Sequence, residues 1–150
     1  MFKFSKPNES PGLLFWQAST LWKRQINNVL KQLDITHTQY VILAVIYFLK
    51  MDGQRTTQTA ISEISMIDNM TISNSVRLLE KKKLIVREVD TIDSRAKVLN
   101  CTALGNEKLQ KANSLVENVD DKFFDLSSDN VVRLMNLLTL LKDKNKDWRK

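Results

Sequence analysis

The sequence predicts a mainly α-helical fold with one small β-hairpin. Three observations predict it. Apolar residues recur at helical spacing through most of the 150 residues. Two short stretches, 84–89 and 97–101, mix β-branched apolar residues with charged and polar ones and read as strands instead. Glycine and proline are scarce, at three and two, which argues against a sandwich, a barrel or a disordered chain. The length suits one domain with a real core and is short for two independent ones.

The elements follow in order. Residues 1–11 read as a loose arm punctuated by Pro7 and Pro11. From about Gly12 to Leu33, Trp22, Ile26, Val29, Leu30 and Leu33 recur at helical spacing, with Phe15 and Trp16 widening the apolar surface. Thr36-His37-Thr38-Gln39 reads as a capping box, in which the Thr36 hydroxyl and the Gln39 side chain each reach a backbone N–H. The helix behind it, to about Lys50, is apolar on most faces and should be the most buried one. Asp52-Gly53 ends it. Thr56 or Thr57 starts a short helix that buries Ile61 and Ile64 and stops near Ser65. Met66 to Asn69 is a turn, with Asp68 or Asn69 as N-cap. Met70 to about Lys82 is helical, with Ile72, Val76 and Leu79 inward and Thr71, Asn74, Ser75 and Arg77 outward. The hairpin has its loop at Asp90 to Ala96. Thr102 caps a long helix to about Leu126, Ser127 caps the last, and the basic tail from Lys142 to Lys150 frays.

Composition narrows the function classes. A net charge of +6 favours an anionic partner. One cysteine and one histidine exclude a disulfide framework within the chain and leave no Cys/His zinc site. The first residues lack the apolar core of a secretion signal, and no apolar run reaches the ~20 residues of a membrane span. A cytoplasmic protein with no membrane partner and no cofactor is expected. Paired carboxylates at a Gly-rich turn, a Cys/His pair and a phosphate loop are all missing, so an enzyme is not expected.

The informative stretch is 57–105. A bracing helix and a second helix joined by a tight turn form a helix–turn–helix. The second helix projects Thr71, Ser73, Asn74, Ser75 and Arg77, short polar groups and an arginine suited to base edges in a major groove. Alone this is equally a solvated helix face. The hairpin shifts the balance. Arg95 near its tip suits a narrow, electronegative A·T-rich minor groove, with Lys97 beside it for the groove or phosphates. Asp93 is expected to orient a neighbouring arginine and hold the loop in shape.

In these motifs the chain resembles the MarR family of winged helix–turn–helix transcription regulators, from about Leu13 to Leu141. Thr36 to Leu43 is similar to the family's L-T-x-x-Q-[FY]-x-x-L, and Thr57-Gln58 to the T-Q start of its bracing helix. Leu79 to Arg87 is close to L-E-x-K-G-L-I-x-R. Asp93-Ser94-Arg95-Ala96-Lys97 and Thr102 to Gly105 are similar to D-x-R-A-K followed by L-T-x-x-G. Their order and spacing together are specific. The resemblance implies a regulator that dimerises through its first and last two helices, with an effector site between those helices and the DNA-binding lobe. Three positions depart from the pattern. Asn74 stands where an arginine often enters the groove, which points to adenine. Lys83 stands where a glycine usually closes the recognition helix, at a cost of roughly 1 kcal/mol if the turn is left-handed. Cys101 replaces a leucine and reads as a small buried hydrophobe. The oxidant-sensing cysteines of some relatives lie in the first helix instead. His37 reads as a surface residue with no ligand role.

The terminal helices give an independent argument. The segment from Ser127 to Lys142 is apolar almost all round, and a small monomer cannot easily cover it. A two-fold dimer would hide Leu134, Leu137, Leu138 and Leu141 and set two recognition helices ~34 Å apart on a pseudo-palindromic, A·T-leaning duplex. Residues 12–35 and 102–146 are assigned to this dimerisation region, and 36–101 to the DNA-binding lobe of one integrated domain. Trp16, Trp22, Tyr40, Tyr47 and Phe48 are a candidate lining for a small aromatic effector; aromatic residues at helical spacing are more often core, and the core reading is preferred. The alternative function is a protein-binding winged helix that has lost DNA.

Overall fold

The computed structural model describes residue 4 and residues 6–149. Six α-helices and one antiparallel hairpin run in the order α1 (Pro11–Leu30), α2 (His37–Met51), α3 (Gln58–Ser65), α4 (Asn69–Lys81), β1 (Ile85–Val89), β2 (Lys97–Cys101), α5 (Ala103–Phe123) and α6 (Ser128–Asn145). Short 3-10 turns occur at Pro7–Glu9, Lys31–Leu33 and Lys146–Arg149. The expected fold class is the observed one. No described helix is long and apolar enough to cross a membrane. Packing divides the chain into two compact units, Met1–Glu117 and Asn118–Lys150.

The first unit is built around α2. Its capping box forms as the sequence implies: the Gln39 N–H donates to Thr36 Oγ1 and the Thr36 N–H donates to Gln39 Oε1, both at 3.2 Å. Ile42, Leu43, Ile46 and Leu49 are fully or almost fully buried. Helices α1, α3 and α4 and strand β2 all pack on α2. Ile26 and Leu30 of α1, Ile61 of α3, Ile72, Val76 and Leu79 of α4, and Leu99 of β2 supply the opposing surfaces. Each such side chain contributes about 1.5–3 kcal/mol by leaving water. The core is therefore assembled from one face of every element, as the 3.6-residue spacing requires.

Several local readings need correction. Residues 1–11 are not wholly a loose arm: Pro7–Glu9 forms a turn, and Pro11 is the first residue of α1, with the Ser10 hydroxyl accepting from the Leu13 N–H. Proline suits that position because its missing N–H would go unpaired there. Met1–Lys3 and Ser5 lie outside the described residues. Ile64 is exposed (53%), and Ser62 takes the buried position on α3, donating to the Ile67 carbonyl at 2.6 Å. The bond holds the turn into α4, so a small hydroxyl serves where a bulky side chain was expected. Of the aromatic residues expected in the core, Trp16 (68%), Phe48 (64%) and Tyr47 are exposed, and Trp22 and Tyr40 are half-buried. Among the described residues, every buried hydrophobic side chain is aliphatic.

The end of α4 resolves the Lys83 departure. Lys83 has φ 58°, the left-handed conformation. Its N–H donates to the Glu80 carbonyl and the Leu84 N–H to the Leu79 carbonyl, at 2.8 and 2.9 Å. This is the double bond pattern of a Schellman cap, with Leu84 packed back into the core beside Leu79. The lysine therefore bears the strain. Lys83→Gly is expected to raise stability by about 0.5–1 kcal/mol, relief of the left-handed cost less the added freedom of the unfolded chain. A higher urea midpoint with unchanged slope is the check.

In the second unit, α6 continues to Asn145, and a 3-10 turn carries the chain to Arg149. The tail expected to fray thus carries helical secondary structure that far; Lys150 lies outside the described residues. Ser127 occupies the N-cap of α6 but makes no side-chain cap bond. The final helix exposes Val132, Met135, Leu137, Leu138, Leu140 and Leu141.

Candidate nucleic-acid interface

Helix α4 owes its start to Asp68. The Asp68 carboxylate accepts from the Thr71 N–H at 2.8 Å and from the Thr71 hydroxyl at 2.7 Å. These two bonds, backbone first, hold the carboxyl below its ordinary range. The Thr71 hydroxyl proton is thereby committed to the cap, and Thr71 itself is half-buried. Ser73 and Ser75 are also half-buried, whereas Asn74 and Arg77 are exposed. The core side of α4, formed by Ile72, Val76 and Leu79, is completely buried. The helix is thus rigidly seated and presents a defined outward stripe.

Strand β1 is tied to α4 by an ion pair between Arg87 Nε and Glu80 Oε2 at 2.9 Å. The hairpin pairs Ile85 with Cys101, Arg87 with Leu99 and Val89 with Lys97. The Leu99 N–H also donates to the Thr56 carbonyl at 3.0 Å, which joins the hairpin to the chain entering α3. Cys101 turns its thiol toward the Leu43 carbonyl, and burial pushes the thiol up to about 11. A thiol so rarely ionised is a poor oxidant sensor.

The loop of the hairpin is shaped by two carboxylates. Asp93 Oδ1 accepts from the Arg95 N–H at 3.0 Å, and the Asp93 carbonyl accepts from the Ala96 N–H at 2.9 Å. Asp93 therefore holds the loop through backbone N–H groups and, among the described residues, forms no ion pair with an arginine. The arginine-bound carboxylate is Asp90, which is buried, pairs with Arg55 and accepts from the Ile92 N–H at 3.2 Å. Sequence reasoning missed this pair because its members lie on different elements. Arg95 and Lys97 stay exposed, and neither has an ion-pair partner among the described residues.

Asp90 gives the loop an acid limit. The Ile92 N–H, and then Arg55, hold its carboxyl below the ordinary value of 3.8. A group depressed by folding stabilises the native state above its unfolded value and loses that contribution as pH falls through its folded value. Unfolding curves from pH 6 to pH 2 should show wild type losing stability below about pH 4. The gap between wild type and Asp90→Asn should close over the same range; a constant gap would mean that the Asp90 charge does not stabilise the loop.

The aromatic set is not one pocket. Trp22, His37 and Tyr40 form a ring cluster, Trp22 edge-on to His37 at 5.0 Å. The Tyr40 hydroxyl donates to Asn113 Oδ1 at 3.0 Å, linking α2 to α5. His37 is half-buried in this cluster rather than on the open surface. Only Tyr47 and Phe48 border the groove of about 420 Å³ between α2 and α5, opposite Leu109 and Asn113. Trp16 lies along a separate groove on α1.

With this geometry established, the relatives are informative. The ArnR1-like winged-helix domain matches residues 28–120. The chain is 38% identical over 140 residues to an uncharacterized HTH-type transcriptional regulator, YdcH, of Bacillus subtilis (strain 168), covering 93% of this chain and 95% of the relative. It is similar in structure to MepR of S. aureus in its DNA complex, with a TM-score of 0.81 and 29% identity over 90% of this chain and 98% of that one. A cysteine-to-serine mutant of E. coli MarR complexed with operator DNA shares the fold, with a TM-score of 0.76 and 22% identity over 87% of this chain and 91% of that one.

Proposed function

The chain belongs to the ArnR1-like winged-helix family, among the transcription regulators of MarR type, and from that premise we propose that it reads duplex DNA as a homodimer. Residues 36–101 form the reading lobe. Residues 12–35 and 102–146 form the dimerisation region, with Leu134, Leu137, Leu138 and Leu141 in the interface. Helix α4 enters the major groove, where Ser73, Asn74 and Arg77 meet bases or phosphates and Thr71 serves mainly to hold the cap. Arg95 enters the minor groove, Lys97 neutralises phosphate, and Asp93 keeps the loop in shape. An effector occupies the groove between α2 and α5, against Tyr47 and Phe48.

One observation carries this reading. The only described arginine in the hairpin loop, Arg95, is exposed on a loop whose own carboxylates are turned to backbone N–H groups and to Arg55. A cation presented this way, beside a helix with one fully buried side, suits a polyanion with two grooves. MepR, with 29% identity, was solved in complex with DNA. The test is selection of bound sequences from random duplexes, read with the mass of the free protein. Expected are a pseudo-palindrome, twice the chain mass, and affinity that falls steeply with salt. A protein that shifts no duplex at low salt overturns the reading and favours a protein-binding winged helix. Arg95→Ala should weaken binding by about tenfold or more, the scale of one well-placed arginine contact. Melting should not change, because the residue is exposed and has no ion-pair partner among the described residues. Unchanged affinity would remove the hairpin from the interface.

A further inference from the structure

The outward stripe of α4 contains a residue that is neither polar nor charged. Met70 is 76% exposed in the first turn. At 100° per residue, Met70, Asn74, Arg77 and Lys81 fall within a sector of about 60°, opposite Ile72, Val76 and Leu79. Asn74, Arg77 and Lys81 are exposed like Met70. Thr71 lies to one side of this sector, with its hydroxyl given to Asp68. The residues best placed to enter a groove are therefore Met70 and Asn74, one turn apart, rather than Thr71.

We propose that Met70 is a sequence-reading residue that packs on the 5-methyl group of a thymine. The inference rests on the DNA-reading function proposed above. That methyl is the one apolar feature on the major-groove edge of the bases, and apolar side chains discriminate thymine through it. The first turn of a recognition helix is the part that approaches base edges. The Asp68 carboxylate at the N-cap disfavours a phosphate beside Met70. The unbranched thioether adapts its shape to a small apolar target. Asn74, one turn further, pairs with adenine, so each half-site contains a thymine and an adenine contacted from adjacent turns.

The test uses the full-length protein and a duplex obtained by the selection above. Each thymine of one half-site is replaced singly by deoxyuridine, which lacks only the methyl. At one position wild type should lose about fourfold in affinity, the worth of one buried methyl. Met70→Ala, which alters both protomers, should bind the thymine duplex about fifteenfold more weakly, two methyl contacts being lost, and be indifferent to that replacement, while Met70→Leu should keep the discrimination. All three proteins should melt alike, since Met70 is exposed. The proposal is overturned if no deoxyuridine position matters to wild type, or if Met70→Ala loses equally on both duplexes. Those results leave DNA reading intact. Failure of wild type to select any duplex overturns both.

Discussion

Gly105→Ala should lower the melting temperature by about 10 °C. Gly105 is buried in the first turn of α5. A Cβ there would lie 1.9 Å from the Leu84 carbonyl oxygen and 2.9 Å from its carbon. The obstacle is backbone, and that backbone cannot retreat cheaply. The Leu84 carbonyl accepts from the Thr102 N–H at 3.0 Å, and the Thr102 hydroxyl donates to the Lys83 carbonyl at 2.7 Å while accepting from the Gly105 N–H at 3.0 Å. Overpacking of this kind costs about 3 kcal/mol, and at this chain length 1 kcal/mol is worth about 2–4 °C. Leu84 precedes β1 and Thr102 follows β2, so the same knot clamps both ends of the hairpin. The variant should therefore also bind DNA more weakly below its melting temperature. A melting temperature within 2 °C of wild type would mean that the start of α5 is not held against Leu84.

That knot shows where a single sequence is readable and where it is not. Ile72, Val76 and Leu79 announce the buried side of α4 because helical burial leaves a period. Thr36 and Gln39 announce a cap because both partners lie within one turn. The hairpin strands run from 85 to 89 and from 97 to 101, nearly the bounds expected for them. Contacts between elements leave no such trace. Arg55 and Asp90 are far apart in sequence, so Asp93 was the natural candidate for pairing an arginine, and the loop instead uses it for the Arg95 N–H. Ile64 fails because the inward face of α3 runs through Gln58, Ile61, Ser62 and Ser65, and at about 100° per residue Ile64 falls outside it. On α4, polarity alone picks out Asn74 and Arg77. It also finds Thr71, whose hydroxyl is occupied, and passes over Met70, whose value depends on exposure rather than on chemistry alone.

Leu138→Asp should convert the protein to a monomer at micromolar concentration and reduce DNA affinity at least a hundredfold. Leu134, Leu138 and Leu141 recur at helical spacing on α6, and Leu137, Leu138 and Leu141 are exposed in the single chain. An apolar surface of this kind needs a cover, and a second copy is the partner a two-fold DNA site requires. In an isologous interface each substitution occurs twice. Two carboxylates then lose water in one apolar patch, and the exposed Lys142 one turn on offsets only a few tenths of a kcal/mol for each. The loss of DNA affinity follows from linkage. Two half-sites bound by one dimer share a single cost of association, whereas two monomers bear it separately. Lys144→Asp is the control, because it changes charge on the same helix at an exposed position beyond the leucines. That variant should keep the dimer mass and lose little affinity. A Leu138→Asp protein that sediments as a stable dimer would move the interface off α6, and the two-fold reading of DNA would then need a different surface to hold it together.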